Sequence, residues 1–453
     1  MPAKPSRDHA PVTPSRRTEH RWRRGGFERR RWTRLVTVAG CAALVAAALQ
    51  WGIRSEPAWA LTDDNFAYHV AVEGDTLIAG APLDDVDGKK DAGSASIFVR
   101  SGTDWIQKKL KAPDGGANDG FGRWVDISGD TVVIAAPSHA TAAGPGAGAA
   151  YVFVRSNGDW QHQFTLTARD GKAGDLFSRS VAISGDTVVV GAPFHDHGTL
   201  LTDSGSAYVF VRNGTTWSQQ QEIREPDAAA NDRFAHAVDI DGETIIVGSP
   251  QDDGPNGGKD VGSASVFVRS GEQWSRQARF VHKDPRARDR LGRWVTIHGN
   301  TAVASVPSDD TTAGGTDAGS AFIFVRSGTT WTRQLILESP EPGASDHFGF
   351  RADLNGDTLA ISSPYDDTPA GVNAGTAFVY LRSGTTWTLQ QSFREPNPEP
   401  KNFFGRGIAV DLDTLVVGAP YDNNFTGTYA GTAYAYVRSG TTWTFQATIN
   451  DAL

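Results

Sequence analysis

Side chains that can bind an anion recur at one position of a regular spacing. Successive members of this series lie 55, 56, 57, 57, 57 and 56 residues apart. Guanidinium groups brought to one place would bind a carboxylate or a sulfate through charge-assisted hydrogen bonds. In the alternative, each arginine pairs with a neighbouring carboxylate. The members of the series, in chain order, are Tyr68, Arg123, Arg179, His236, Arg293, Phe350 and Arg406.

Two tryptophans directly follow arginines of this series. Trp124 comes after Arg123, and Trp294 comes after Arg293. An arginine beside an indole could stack a sugar or an aromatic ligand. The alternative is that both indoles wedge between neighbouring sheets. The sequence therefore predicts ligand binding by the arginines and His236, with the two tryptophans as further candidates.

Carboxylates and imidazoles suggest two metal sites of different kinds. Asp84, Asp85, Asp87 and Asp91 could together offer oxygen ligands to calcium. His195 and His197 form an alternating imidazole pair that suits a transition metal, but the sequence shows no third ligand. A separate series of aspartates stands two residues before the opening Phe or Leu of six repeat units, and we expect it to fix turns by accepting backbone N–H groups. It comprises Asp64, Asp119, Asp175, Asp232, Asp289 and Asp346.

The sequence lacks the motifs of several common enzyme classes. It contains no G-x-S-x-G, no H-E-x-x-H and no phosphate-binding loop. Its one cysteine is Cys41 and its one methionine is Met1, so the chain after residue 60 contains no sulfur. This excludes a disulfide framework, a cysteine zinc site and a thiol nucleophile there. We expect a protein that is not an enzyme.

The elements that must position these side chains come from a sevenfold repeat. Three markers recur with the same period: a proline that ends an apolar run, an opening Phe or Leu, and a tryptophan near the end of each unit. The prolines are Pro82, Pro137, Pro193, Pro250, Pro307, Pro364 and Pro420. The opening residues are Phe66, Phe121, Phe177, Phe234, Leu291, Phe348 and Phe404. The tryptophans are Trp105, Trp160, Trp217, Trp274, Trp331, Trp387 and Trp443.

Each repeat reads as four short strands. In residues 177–223, FSRSVAIS stops at a Gly-Asp turn, TVVVGAP is continuous and β-branched, SAYVFVR turns at Asn-Gly, and WSQQQEI is polar. The middle strands are apolar on both faces, so each sheet must be covered on both sides. The polar fourth strand suits an outer edge. These patterns predict an all-β fold, a seven-bladed β-propeller of four-stranded antiparallel blades over residues 61–453. Because the last repeat has its own fourth strand, we expect closure by sheet contact.

The pattern F-G-x-x-V-x-I-x-G-D-T-x-V-V-G-A-P resembles the FG-GAP repeat of the integrin α-subunit propeller. Its best copies begin at Phe121-Gly122 and Phe177, and the G-S-A-x-V-F-V-R-S-G-T-T-W segment is similar to bacterial secreted FG-GAP proteins. The resemblance covers about residues 61–450 and implies the propeller fold. Integrin-like repeats often hold calcium in a loop between the first two strands. Here that loop is Ser-Gly-Asp or similar, as at Ser128–Asp130, so calcium is not carried over to it.

Residues 1–60 are predicted to form a basic leader with a signal peptide or anchor. An arginine-rich segment precedes an apolar run over residues 35–53, and Ala58-Trp59-Ala60 follows, an order typical of a secretory signal. The run is also nearly long enough to remain as a membrane anchor. Residues 1–60 carry 12 Lys and Arg against 4 Asp and Glu, which leaves 31 against 48 in the rest of the chain. That acidic body is a poor partner for nucleic acid or anionic lipid.

These observations favour an exported protein, secreted or held at the cell surface, that binds a protein or a glycan. The connections between second and third strands, and between one repeat and the next, vary and share one rim, where binding surfaces are often built. The alternative is that these loops are only solvated. Two other functions remain open: a propeller hydrolase or lyase acting on an extracellular polysaccharide, and a structural envelope protein.

Overall fold

The computed structural model describes residues 63–254, 258–424 and 426–452. The predicted leader, with its signal peptide or anchor at residues 35–53, lies outside the described residues. In the described ranges, no helix is long and apolar enough to cross a bilayer.

Twenty-eight strands form seven four-stranded antiparallel sheets, and within each sheet the strands pair in chain order. The predicted all-β seven-bladed propeller is therefore confirmed. We number the blades 1 to 7, with β1–β4 in blade 1 and β25–β28 in blade 7. The strands of blades 1 to 4 are β1 (Val70–Glu73), β2 (Thr76–Ala81), β3 (Ser94–Ser101), β4 (Asp104–Leu110), β5 (Val125–Ser128), β6 (Thr131–Ala136), β7 (Ala149–Ser156), β8 (Asp159–Leu166), β9 (Ser180–Ser184), β10 (Thr187–Ala192), β11 (Ser206–Asn213), β12 (Thr216–Ile223), β13 (Ala237–Asp241), β14 (Thr244–Ser249), β15 (Ser263–Ser270) and β16 (Gln273–Val281).

The same order continues in the last three blades. Their strands are β17 (Val295–His298), β18 (Thr301–Val306), β19 (Ser320–Ser327), β20 (Thr330–Glu338), β21 (Arg351–Asn355), β22 (Thr358–Ser363), β23 (Thr376–Ser383), β24 (Thr386–Phe393), β25 (Gly407–Asp411), β26 (Thr414–Ala419), β27 (Thr432–Ser439) and β28 (Thr442–Ile449). The first strand of each blade lines the central channel. Two-residue turns join first to second and third to fourth strands at one end of the ring, the turn face. The longer connections lie at the opposite end, the loop face.

The hydrophobic core lies between blades rather than within them. One cluster joins Ile78 and Ile97 of blade 1 to Phe121, Val132 and Tyr151 of blade 2, and all five side chains are fully buried. Other clusters join later neighbours in the same way. Every middle strand is thus covered on both faces, which explains why its sequence is apolar without alternation.

Glycines in the repeat allow neighbouring blades to approach closely. A Cβ atom on Gly191 would stand 2.1 Å from the carbonyl oxygen of Ala235 in the next blade. Gly205 has a φ of +86°, and a Cβ atom there would lie 2.1 Å from the carbonyl oxygen of Phe234. Any larger residue at either position would separate the two blades, so the repeated glycines follow from the packing of the ring.

The ring closes through the same contact that joins its other blades. The Phe66 amide donates to the Ala430 carbonyl at 2.9 Å, just as the Phe121 amide donates to the Ala92 carbonyl at 3.0 Å. Blade 7 keeps all four of its own strands. The prediction of closure by sheet contact, without an exchanged strand, is confirmed.

Candidate anion-binding site

The arginine series lies at the loop-face mouth of the central channel. Each member stands one or two residues before an inner strand begins, as Arg123 stands before β5 and Arg406 before β25. Propeller geometry therefore brings seven residues that are distant in sequence into one ring. The four series arginines and Phe350 are partly exposed, whereas Tyr68 and His236 are each only 8 % exposed.

Guanidinium groups and aromatic rings alternate around half of this mouth. Arg123 and Arg406 lie over the ring of Tyr68, with Cζ atoms 5.1 and 4.3 Å from its centroid. Arg406 and Arg293 lie over the ring of Phe350 in turn, at 4.7 and 5.6 Å. Arg406 Nη2 also donates to the Tyr68 hydroxyl at 2.5 Å. These contacts hold the guanidinium groups in place.

Four side chains close the channel beneath the mouth. The indoles of Trp124 and Trp294 stack across the channel, with centroids 5.2 Å apart. His69 packs on both rings, at 5.0 and 5.5 Å. The guanidinium of Arg351 covers both from blade 6, at 4.5 and 4.0 Å. We call these four residues the plug.

The plug changes the predicted role of the two tryptophans. The Trp124 side chain is 3 % exposed, so its ring is not available to stack on a ligand. Trp294 is partly exposed and donates its indole N–H to the Ala352 carbonyl at 2.5 Å. Both indoles also pack against clusters between blades, as the alternative had it: Trp124 against that of blades 2 and 3, and Trp294 against that of blades 5 and 6. Both form the floor of the mouth.

The central arginines have no carboxylate partner. Among the described residues, no Asp or Glu oxygen lies within 4.0 Å of a nitrogen of Arg123, Arg179, Arg293, Arg351 or Arg406. The alternative of rim ion pairs is therefore not what the structure has. Several buried donors or ring nitrogens near the mouth also lack any hydrogen-bond partner in the described chain. They are Arg179 Nη1, Arg351 Nη1, His236 Nδ1 and His69 Nδ1.

This concentration of positive charge changes the pKa values of the mouth. Burial and the neighbouring Arg293 and Arg123 lower the pKa of Arg179 to about 9. Burial and Arg406 lower the pKa of Arg293 to about 10. Burial alone would raise the pKa of Tyr68, but the surrounding arginines, Arg406 foremost, outweigh it and bring the value to about 7. An anion bound here would attract the guanidinium groups and so raise the pKa values of Arg179 and Arg293.

Another set of arginines in the same fold has the hydrogen-bond partners that the mouth arginines lack. One is the second-to-last residue of each third strand, near the turn face, and each stacks on the tryptophan of its own blade. Arg212 lies 5.2 Å from Trp217, donates to Asp186 Oδ1 at 2.6 Å and reaches Thr131 of the preceding blade at 2.9 Å. Arg155 and Arg438 pair with Asp130 and Asp413 in the same way. Six of these seven arginines have an acidic partner within 4.0 Å, and Arg326 instead donates to the Asn300 amide oxygen at 2.8 Å. The mouth differs because five arginines without a carboxylate partner lie together there.

An aromatic track leads from the mouth over the loop face of blades 6 and 7. Phe350 contacts Tyr365 at 5.5 Å, and Tyr365 contacts Phe403 at 5.2 Å. Phe403 then meets Tyr421 at 5.1 Å, and Tyr421 meets Tyr429 at 6.0 Å. All five rings are at least partly exposed, and Tyr429 is 45 % exposed. Exposed rings in a row suit the apolar faces of sugars.

Beneath the plug the channel is acidic and opens toward the turn face. Its cavity of about 260 Å³ is lined by Asp126, Asp239 and Asp353 among others. Each of these carboxylates accepts two backbone N–H groups, one from its own blade and one from the next. Asp239 accepts from Ile240 at 2.8 Å and Ile297 at 2.7 Å. The three aspartates thus join blades 2 to 3, 4 to 5 and 6 to 7.

The four aspartates predicted to bind calcium lie on the loop face of blade 1, where lysines already accompany them. Asp84 lies 2.9 Å from Lys109, and Asp87 lies 2.7 Å from Lys111. Asp85 accepts the backbone N–H of Asp91 at 2.8 Å. Calcium binding at Asp84, Asp85, Asp87 and Asp91 stays a prediction, and the lysine charges argue against it.

The aspartates two residues before the opening residues act on the backbone, as predicted. Asp119, Asp175, Asp232 and Asp289 each accept the N–H of the residue three positions earlier, at 2.5 to 2.8 Å. Burial, together with neighbouring aspartates such as Asp252, raises the pKa of Asp232 to about 7. These side chains fix the loops that lead into the inner strands.

The sequence analysis missed two residues of the site, Arg351 and His69. Both stand three positions after the opening residue, the position of Trp124 and Trp294, one place beyond the arginine series. The sequence does contain a signal for Arg351. In blades 2 and 5 an arginine is followed by an aromatic residue, whereas in blade 6 the aromatic Phe350 comes first and Arg351 follows it. The bonding role of Asp126, Asp239 and Asp353 was also missed, although they recur in alternate blades.

Comparison with known proteins gives one family match. A family model described as FG-GAP repeat matches residues 60–98, 105–153, 160–210, 217–267, 274–324, 331–380 and 387–436. Each match after the first begins in the fourth strand of one blade and ends in the third strand of the next. No curated protein matches the chain. Among solved structures, the crystal structure of Saccharomyces cerevisiae Sqt1 is 9 % identical, with a TM-score of 0.47 over 85 % of this chain and 86 % of that chain.

Proposed function

Because this chain belongs to the FG-GAP repeat family, whose propeller fold is consistent with an extracellular binding module, we propose that it binds an acidic ligand at its arginine mouth. The observation that carries this proposal is the group of five arginines, two of them with unpartnered buried nitrogens, that lack any carboxylate among the described residues. Unpaired buried cations cost free energy in the free protein. A carboxylate or sulfate would supply both the charge and the hydrogen-bond acceptors that they lack.

The ligand that fits best is an acidic glycan. Its charged group would lie among the guanidinium groups above the plug, and its neighbouring sugars would follow the track from Phe350 toward Tyr429. The partly exposed rings of Tyr365, Phe403 and Tyr421 offer stacking surfaces of the right kind. An acidic protein loop would use the arginines but would gain less from a row of rings. Export of the chain to meet such a ligand is part of the same proposal.

The test compares two pairs of arginines at opposite ends of the ring. Arg179→Gln with Arg293→Gln removes two charges at the mouth, and Arg155→Gln with Arg212→Gln removes two at the turn face. Binding of a polyuronate and of a sulfated glycan would be measured by calorimetry at several salt concentrations. We expect the mouth variant to bind at least about tenfold more weakly, since each charged hydrogen bond contributes about 1.5–3 kcal/mol. Equal binding by both variants, or equal loss in both, would refute the site.

One observation favours a second candidate function, a lyase acting on uronate polymers. The Tyr68 hydroxyl lies against Arg406, and its pKa of about 7 makes the phenolate accessible at neutral pH. β-Elimination needs a cation against the carboxylate and a base for the proton on the adjacent carbon. Tyr68 would take that proton, the C–H electron pair would form the C=C bond as the C–O bond to the leaving sugar breaks, and water would supply the proton for the leaving oxygen.

This second candidate has its own readout. Each cleavage leaves a C=C bond conjugated to the carboxylate, which absorbs ultraviolet light. If the protein is a lyase, absorbance rises during incubation with a polyuronate, and Tyr68→Phe stops the rise while retaining binding. If the protein only binds, no rise occurs in the wild type.

A further inference from the structure

A histidine in blade 3 is oriented in the way a metal ligand is. His195 lies in the loop after β10 and is 2 % exposed. Its Nδ1 is 2.8 Å from Oδ2 of the buried Asp175, and its Nε2 faces Oδ2 of Asp170 at 3.6 Å. A carboxylate on one imidazole nitrogen fixes the ring and leaves the other nitrogen free to bind a metal. Asp175 thus gives His195 the support that metal-binding histidines usually have.

Two further side chains from different segments converge on the same place. His197 lies two residues along the same loop, and its ring centroid is 4.9 Å from that of His195. Glu222 lies on β12, with Oε1 3.9 Å from His197 Nε2. One donor atom from each of His195, His197 and Glu222 lies within 4.8 Å of the others. The third ligand that the sequence did not show is therefore Glu222, about 25 residues farther along the chain.

We propose that His195, His197 and Glu222 bind a divalent transition metal of the Zn²⁺ type, with water in the fourth position. Two imidazoles with one carboxylate and a water suit tetrahedral zinc, whose ligand atoms lie about 3.3 Å apart at bond lengths of about 2.0–2.1 Å. The donors here need to move inward by about 1 Å. The adjoining cavity of about 270 Å³, lined by Asp170, His195 and His197, gives the side chains room to do so.

Several contacts must change when the metal binds. His197 Nε2 lies 3.2 Å from the Gly205 carbonyl oxygen and 3.0 Å from Ser206 Oγ, and Ser206 donates to Glu222 Oε1 at 2.7 Å. Arg224 donates to both oxygens of Glu222, at 2.8 and 2.6 Å, but its side chain is 52 % exposed, so this pair contributes little to stability. Arg224 can keep Oε2 while Ser206 releases Oε1 and His197 Nε2 to the metal. The bound ion would tie the loop after β10 to strand β12.

Blade 2 contains the same framework without the additional ligands. His139 Nδ1 lies 2.7 Å from Asp119, and its Nε2 lies 3.7 Å from Asp114. Tyr151 donates to Asp114 at 2.7 Å, as Tyr208 donates to Asp170 at 3.0 Å in blade 3. The places of His197 and Glu222, however, are taken by Thr141 and Thr165. Blade 3 therefore differs from blade 2 by the two residues that a metal site requires.

The test converts the blade 3 site into its blade 2 counterpart. The double variant His197→Thr with Glu222→Thr would be compared with the wild type and with His139→Thr, all as full-length chains. Zn²⁺ binding would be titrated calorimetrically, and Co²⁺ absorbance would report tetrahedral coordination. We expect one ion per wild-type chain and the same in His139→Thr, but binding more than about 100-fold weaker in the double variant. Asp175→Asn should weaken binding by about 10- to 100-fold.

The substitutions are not expected to disturb folding, because blade 2 already has threonine at both equivalent positions. The double variant should unfold cooperatively, at the same temperature as the metal-free wild type. A wild type that binds no Zn²⁺, a double variant with undiminished affinity, or an equal loss in His139→Thr would each overturn the proposal.

Discussion

The two ends of the central channel both bury charge, but only one end supplies partners for it. At the turn-face end, Asp126, Asp239 and Asp353 each accept two backbone N–H groups. At the mouth, Arg179 and Arg351 have buried nitrogens with no partner in the described chain. The acidic end therefore completes the hydrogen bonding of the scaffold. The mouth leaves hydrogen bonding incomplete, and we propose that a ligand completes it.

The same contrast separates arginines within one fold. The arginine of each third strand stacks on a tryptophan, and Arg212 adds Asp186 and Thr131 as partners. Arg351 also stacks on tryptophans, but its other bond goes only to the Arg406 carbonyl, at 3.1 Å. Stacking on an indole is thus common to arginines of both regions. A carboxylate accompanies six of the seven turn-face arginines, whereas Arg326 has the Asn300 amide and the mouth arginines have no carboxylate in the described chain.

The largest expected effect comes from breaking the satisfied end. Asp239→Ala removes the acceptor for the N–H groups of Ile240 and Ile297 and the hydrogen-bonded link between blades 4 and 5. We expect the free energy of unfolding to fall by about 2 kcal/mol, measured by urea denaturation. Asp130→Ala on the exposed turn serves as the control and should cost less than about 1 kcal/mol. If Asp239→Ala leaves the free energy of unfolding unchanged, water in the channel must replace the carboxylate as the hydrogen-bond acceptor.

The two ends of the channel should affect the pH dependence of stability in opposite directions. Burial raises the pKa of Asp239 to about 7 and that of Asp353 to about 6, so the folded state holds these protons more tightly and stability falls as pH rises from about 4 to 7. The Tyr68 pKa is about 7 when folded and about 10 when unfolded, so between these values only the unfolded state keeps the proton. Stability should then rise with pH, by at most about 1.4 kcal/mol per unit.

Tyr68→Phe isolates the alkaline part of this profile. Urea unfolding at about pH 7 and about pH 9 should show a smaller rise in the variant, whereas the acidic limb stays the same. A rise of equal slope in both proteins would show that Tyr68 does not ionise in this range.

Replacing an unpaired arginine should make the free protein more stable while weakening binding. Arg351→Met keeps an apolar chain against Trp124 and Trp294 but removes a buried cation with an unpartnered nitrogen. We expect a gain of about 1 kcal/mol in unfolding free energy and weaker binding of the acidic glycan. Arg212→Met is the matched control, since it loses Asp186 and should cost about 1 kcal/mol without affecting binding. Destabilisation of both variants alike would contradict the distinction.

The fold could be predicted closely from the sequence because the residues that the fold requires recur at equivalent positions in all seven repeats. Glycines such as Gly191 and Gly205 mark close contacts between blades, and the period locates every blade. The ring of arginines followed from the same period. The plug and the blade 3 cluster did not, because both depend on differences between repeats: Arg351 is displaced by one residue, and Glu222 meets His197 only through the pairing of β11 with β12. A periodic pattern predicts the features that all repeats have in common, but it does not indicate a side-chain cluster that only one repeat contains.

The smallest expected effect concerns a turn that departs from this pattern. The first residue of the turn between first and second strands is glycine in blades 1 to 6 and Leu412 in blade 7, where φ is +49° and the side chain is 65 % exposed. A leucine in this left-handed region is strained by about 1 kcal/mol, and glycine relieves the strain at some cost in unfolded-state entropy. Leu412→Gly should therefore raise the unfolding free energy by about 0.5 kcal/mol or less.

The reverse change completes that test. Gly185→Leu in blade 3 places a leucine at the same turn position, where φ is +56° and a Cβ atom would meet nothing within 4 Å. Because space is not limiting, the expected loss of about 1 kcal/mol reports backbone strain alone. Both turns lie at the opposite end of the channel from the mouth, so glycan binding should stay unchanged in each variant. A change in binding would mean that the turn face contributes to recognition, and would undo the division between a complete end and an open one.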